Sequence, residues 1–140
     1  MGKPKTPLFI NDIKDRLTPL FRKERLQLVL LFGSVAKGNV HGKSDIDLGF
    51  LFDEPIDVLS LTNEVTKLLH SDRVDVVDLR RASPLLKFCA AQKGKVLYER
   101  SDGLFNQFFT LAFRIYVDTK KLRDAQGEMI RNFLEEKEMV

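Results

Sequence analysis

Apolar residues recur along this chain with two distinct periods. Residues 26–32, LQLVLLF, form a short and almost continuous apolar run ended by Gly33, which predicts a buried strand. Residues 45–52, DIDLGFLF, alternate strictly, with Ile46, Leu48, Phe50 and Phe52 on one side and Asp45, Asp47, Gly49 and Leu51 on the other. That pattern predicts a strand with one dry face and one face bearing carboxylates. Residues 73–79, RVDVVDL, and 95–99, KVLYE, predict two more strands. Helical spacing takes over elsewhere. Ile13, Leu17, Leu20 and Phe21 predict an amphipathic helix over 11–24, with Asn11 or Asp12 as its cap and Pro19 as a kink or break. Further helices are predicted from Val58 to about His70, from Pro84 to about Gly94, and over residues 103–138. In the last of these, Phe105, Phe108, Phe109, Ala112, Phe113 and Tyr116 make one stripe, read first as core.

This order predicts an α/β (α+β) fold: a small mixed β-sheet flanked by helices, with a long C-terminal helical segment. A length of 140 residues suits one domain. Its core is expected over about residues 26–100, with the helical segment at 103–138 and no linker. The net charge of +3 is spread evenly, ten basic and nine acidic residues in 1–70 against thirteen and eleven in 71–140. That is not the footprint of a duplex-binding domain, so no DNA partner is expected. No apolar run approaches the ~18 residues of a membrane span. The MGKPKT start has no apolar segment behind it, so a signal peptide is not expected. A single cysteine, Cys89, permits no internal disulfide, suits a reducing compartment and is expected to be buried. Cytoplasmic location follows as the default.

The chemistry concentrates in LFGSVAKGNVHGKSDIDL, residues 31–48. Strand periodicity puts Asp45 and Asp47 on one side with Cα atoms about 6.5–7 Å apart. That separation suits a shared pair of magnesium ions, which sit roughly 3.5–4 Å apart in two-metal sites. A helical crossover between neighbouring parallel strands is right-handed and returns the chain to the same sheet edge, so Asp75 is expected near the pair. Asp78 falls on the opposite face and Asp72 outside the strand. Three carboxylates this close repel, and divalent cations resolve the conflict; magnesium favours oxygen ligands and keeps sites for water and phosphate. Gly33 permits close backbone approach, and Ser34, if it opens a short helix, offers N–H groups and a hydroxyl to phosphate oxygens. Lys37 and Lys43 add positive charge. His41 reads as a turn residue and His70 as a helix-end residue.

The run GSVAKG, a ten-residue gap after Gly33-Ser34, and then SDIDL resembles the signature of the DNA polymerase β nucleotidyltransferase superfamily. More narrowly, the small size, the VDVVDL strand, the SPLLKFCAAQKGKVLYE segment and Tyr116-x-Asp118 resemble the minimal nucleotidyltransferases that act as antitoxins beside HEPN ribonuclease toxins. The resemblance spans about residues 26–120. It implies that Gly33 and Ser34 hold the triphosphate, that Asp45 and Asp47 bind both metals, and that Asp75 is the third carboxylate and helps activate the acceptor hydroxyl. Lys37 stands where an arginine is frequent, which keeps the charge and loses the bidentate grip. The resemblance further implies two Mg2+ ions, ATP as substrate, and transfer of AMP to a tyrosine hydroxyl of a HEPN toxin that is also the complex partner. Two rival readings are an antitoxin that neutralises by contact alone, and nucleotidyl transfer to an aminoglycoside or an RNA 3′ end. The last group usually carries an extra substrate-binding domain, for which little chain is left.

Overall fold

The computed structural model describes residues 10–33 and 46–138. In order it contains α1 (Ile10–Leu17), a 3₁₀ turn (Thr18–Arg22), β1 (Leu26–Phe32), β2 (Ile46–Phe52), α2 (Val58–Leu69), β3 (Val74–Asp78), α3 (Pro84–Lys93), β4 (Lys95–Glu99) and α4 (Leu104–Glu138). The four strands form one mixed sheet in the order β3-β2-β1-β4. β1 runs antiparallel to both β2 and β4, whereas β2 and β3 are parallel and joined through α2. A tight turn cannot join parallel neighbours, so the helical crossover is a geometric necessity.

Helix punctuation in the sequence has direct structural counterparts. Asp57 caps α2, its carboxylate accepting from the N–H groups of Leu59 and Ser60. The Ser60 hydroxyl also donates to it, at 2.9 Å. These bonds, the Ser60 hydroxyl first, hold the Asp57 carboxyl below its ordinary value. Ser83 caps α3 by accepting from Leu86 N–H, with Pro84 in the first turn where no donor is needed. Pro19 sits early in the 3₁₀ turn that ends the first helical stretch. The expected cap at Asn11 or Asp12 is not found: both lie inside α1, whose first residue is Ile10. His70 ends α2 in the left-handed region at φ 53°, so its place is set by chain reversal as well as by the helix end.

The sheet is covered on both sides. One cluster joins Ile13 and Leu17 of α1 and Leu61, Val65 and Leu69 of α2 to Ile46, Leu48, Phe50 and Phe52 of β2. A second joins Leu28, Leu30, Leu79 and Ala90, with Leu51, Phe105 and Phe108 packed against them. The carboxylate-bearing side of β2 is therefore wet only at its beginning. Gly49 on that side is buried, because Leu79 occupies the room a side chain there would need. The α4 stripe is core only in part: Ala112 is buried and Phe105, Phe108, Phe109 and Tyr116 are half-buried, but Phe113 is 49% exposed. Cys89 is half-buried rather than buried. No helix among the described residues is long and apolar enough to cross a membrane.

Removing the Asp57 cap by Asp57→Ala should lower the melting temperature by a few degrees at neutral pH. The folded-state carboxyl titrates below its unfolded value, so its contribution is present above about pH 4 and fades as acid protonates the folded form. Thermal melts of both proteins should converge toward pH 3, and a gap that persists there would contradict the capping role.

Candidate active site

Three strand ends meet at one edge of the sheet. β1 runs into this edge and stops at Phe32, while β2 and β3 both start from it. Phe32 lies opposite Asp47 in the β1–β2 ladder, and Asp47 lies opposite Asp75 in the β2–β3 ladder. Registered residues on adjacent strands point to the same face with backbones about 4.8 Å apart, so the two carboxylates are neighbours. Asp47 is half-buried and Asp75 exposed, which puts the pair at the rim of the core and not within it. The register is tied at the first residue of β2, where Ile46 N–H donates to the Arg73 carbonyl at 2.9 Å.

Gly33 completes the described part of the site. Its φ is +85°, a left-handed conformation that costs a side-chain-bearing residue about 1–2 kcal/mol. A Cβ built there would also run into Oδ2 of Asp47. Two independent constraints thus demand glycine, and only the first is readable from a turn signal. Gly33 has a role beside the phosphate contact expected of it: it leaves the space in which the Asp47 carboxylate stands.

Of the other sequence-predicted residues, Ser34, Lys37, His41, Lys43 and Asp45 lie outside the described residues. Asp78 is on the opposite face, as expected, where Oδ1 accepts from Arg80 N–H at 3.1 Å. Among the described residues no group of three or more His, Cys, Asp or Glu side chains is placed to hold a metal ion. Two of the three predicted carboxylates are nonetheless side by side. Paired, adjacent, acceptor-only oxygens are the donor set that suits magnesium, so Asp47 and Asp75 fit that ion. A cleft of about 530 Å³ lined by Lys23, Arg25, Phe52 and Glu64 opens at the other end of β1 and β2, away from Gly33 and Asp47. Leu79 and the Arg73 carbonyl are supporting groups that periodicity did not single out. A glycine inside a strand, Gly49, was the available signal for the first.

A sheet edge that pairs carboxylates beside a left-handed glycine is the arrangement of a metal-dependent nucleotidyl-transfer site. Residues 15–103 match the family model for polymerase beta nucleotidyltransferases, and the chain belongs to that family. It is 33% identical over 123 residues to the protein adenylyltransferase MntA of Aphanizomenon flos-aquae, covering 79% of this chain and 81% of the relative. Its fold is similar to that of a toxin–antitoxin solved with AMP-PNP, at TM-score 0.75 and 29% identity over 84% of this chain and 98% of the other. It is similar also to a chain of the tri-AMPylated HEPN toxin of Shewanella oneidensis in complex with the MNT antitoxin. There the TM-score is 0.72 at 26% identity, over 88% of this chain and 99% of the other.

Substituting Gly33→Ala should reduce nucleotidyl transfer by about 100-fold, because a displacement of order 1 Å in a positioning group costs that much. Global stability should fall by only about 1–2 kcal/mol. Urea unfolding alongside the transfer assay separates the two, and a variant with near-normal turnover would show that Asp47 needs no such space.

Proposed function

We propose that this chain is a magnesium-dependent protein adenylyltransferase that moves AMP from ATP to a tyrosine hydroxyl of a HEPN ribonuclease toxin and so acts as the antitoxin. The observation that carries the reading is the registration of Asp47 against Asp75 beside Gly33, in a chain of the nucleotidyltransferase family. The MntA adenylyltransferase relative, the toxin–antitoxin solved with AMP-PNP and the tri-AMPylated HEPN toxin complex support the nucleotide, the acceptor class and the partner.

In this reading Asp45 and Asp47 would hold two magnesium ions and Asp75 would contribute to one of them. When bound, the metal ions supply positive charge at the α-phosphate and lower the pKa of the acceptor hydroxyl. Gly33 and Ser34 hold the triphosphate through backbone N–H groups and the hydroxyl, and Lys37 and Lys43 add charge along it. Asp75, the more exposed of the two described site carboxylates, faces the acceptor and helps take up its proton. The tyrosine oxygen forms the new bond to the α-phosphorus as the bond to the bridging oxygen breaks, and pyrophosphate departs. Proximity and fixed electrostatics do most of the work. One domain suffices, with its core at about residues 26–100 and the C-terminal helix as an appendage. The toxin is both substrate and complex partner, neither DNA nor membrane takes part, and the reaction belongs to the cytoplasm.

Incubation with ATP, magnesium and a HEPN toxin should add AMP to a toxin tyrosine, read by intact-protein and peptide mass spectrometry. Asp47→Ala should lower labelling by at least about 100-fold, Asp75→Asn should lower it strongly, and chelation of magnesium should abolish it. Labelling indifferent to Asp47→Ala sinks the catalytic assignment. If Asp47→Ala still protects cells from the toxin, contact alone neutralises.

A further inference from the structure

A fourth strand end reaches the site edge of the sheet. β4 runs antiparallel to β1, so it starts where β1 stops, with Lys95 registered on Leu31. α3 covers the face that bears Asp47, where its Ala90 clusters with Leu28 and Leu30 and Phe32 packs against them, and it ends at this same edge in Lys93. Only Gly94 separates the helix from the strand. Its N–H donates to the Ala90 carbonyl at 2.8 Å, and a Cβ added there would run into that oxygen and meet Leu30. The turn is thereby locked against β1, and it fixes where Lys93 and Lys95 leave the chain. Across the edge the order is Asp75 on β3, Asp47 on β2, Gly33 after β1, and then the two lysines. Lys95 shares the sheet face of Leu31 and Lys93 closes the helix on the opposite face, so the pair straddles the edge beside Gly33.

Charge sets this corner apart from the rest of the chain. Residues 79–98 hold five basic side chains, Arg80, Arg81, Lys87, Lys93 and Lys95, and no acidic one. Lys93 and Lys95 are exposed, and among the described residues neither amino group has a hydrogen bond or an ion pair. The α3 dipole accounts for a cation at Lys93 but not for one at Lys95, on the strand beyond it. Two unneutralised cations of one sign at the rim of a site draw an anion to it. Adjacent strands are about 4.8 Å apart, so the lysine backbones lie roughly 10 Å from that of Asp47, two strands away. A nucleotide whose α-phosphate stands over the aspartates carries its terminal phosphates past Gly33, into the reach of extended lysine side chains. We propose that Lys93 and Lys95 hold the β- and γ-phosphates of the nucleotide, and then the departing pyrophosphate, an assignment that rests on the adenylyl transfer proposed above.

The test is calorimetric titration of the full chain, without toxin, with the magnesium complexes of AMP-PNP, pyrophosphate and AMP, beside the AMP-transfer assay. Lys93→Ala with Lys95→Ala should weaken AMP-PNP and pyrophosphate about 10- to 100-fold and AMP less than about 2-fold, because AMP lacks the phosphates these charges hold. In the transfer assay the KM for ATP should rise about 10-fold or more while the KM for the toxin holds. Lys93→Arg with Lys95→Arg should stay within about 3-fold of the native affinity, since charge and donors persist. Arg80→Ala with Arg81→Ala, beyond the far end of β3, should change AMP-PNP binding by less than about 2-fold. A native chain that transfers AMP, with a double alanine variant that binds AMP-PNP and pyrophosphate as tightly, overturns this assignment alone. So does a loss that AMP shares equally, an arginine variant no better than the alanine one, or an equal loss from the Arg80 and Arg81 pair. A native chain that neither binds AMP-PNP nor transfers AMP removes the proposed function and this assignment with it.

Discussion

The site rests on a sheet that forces like charges together. Asp47 and Asp75 are direct neighbours in a parallel ladder, a placement that is unfavourable for two carboxylates. The ladder holds because the residues around them are apolar and pack into the core: Ile46 faces Val74 and Leu48 faces Val76, with only Val76 half-buried. Each strand thus uses one face to create the adhesion and the other to carry the charge. Parallel pairing requires the α2 crossover, which in turn requires its cap at Asp57 and its reversal at His70. Much of the architecture on that side of the sheet serves to place two aspartates where they would not settle unaided. Two carboxylates placed side by side in this way would suit a divalent cation, which would supply the positive charge between them.

Most elements were legible in the sequence because their signals are local. The LQLVLLF and KVLYE strands have the bounds expected from their apolar runs, and the helices begin and end at Asp57, His70, Ser83 and Gly94, residues with capping chemistry. Asp45 and Asp47 were visible as a period-two pair, and Asp75 followed from crossover topology, whose register against Asp47 the structure supplies. What escaped was long-range. Alternation in DIDLGFLF marks one face of β2 as polar, yet Leu79, thirty residues on, closes over Gly49 and dries most of it. The need for glycine at position 33 has a part no turn rule contains, since the colliding atom belongs to Asp47 on the next strand. The α4 stripe read as core because periodicity cannot tell which turns of a helix find a neighbour; Phe113 stays half outside.

α4 divides its length between two tasks. Its first turns close the second cluster through Phe105 and Phe108, and from Val117 onward most of its described side chains are exposed. The changeover is marked by Phe88, Tyr116 and Arg123, where a ring stack is capped by a guanidinium that also donates to the Tyr116 carbonyl at 3.1 Å. That triple contact ties α3 to the middle of α4.

The junction of Gly49 with Leu79 has a consequence for the field at the site. Hydrocarbon seals the same face of β2 at Gly49, the second residue after Asp47, so the carboxylate stands on the boundary between a highly polarisable medium and a poorly polarisable one. Charges on such a boundary are screened from one hemisphere only, and their pull on a cation is correspondingly stronger than that of an aspartate on an open surface. A single missing side chain at position 49 thereby helps set the local permittivity around the chemistry.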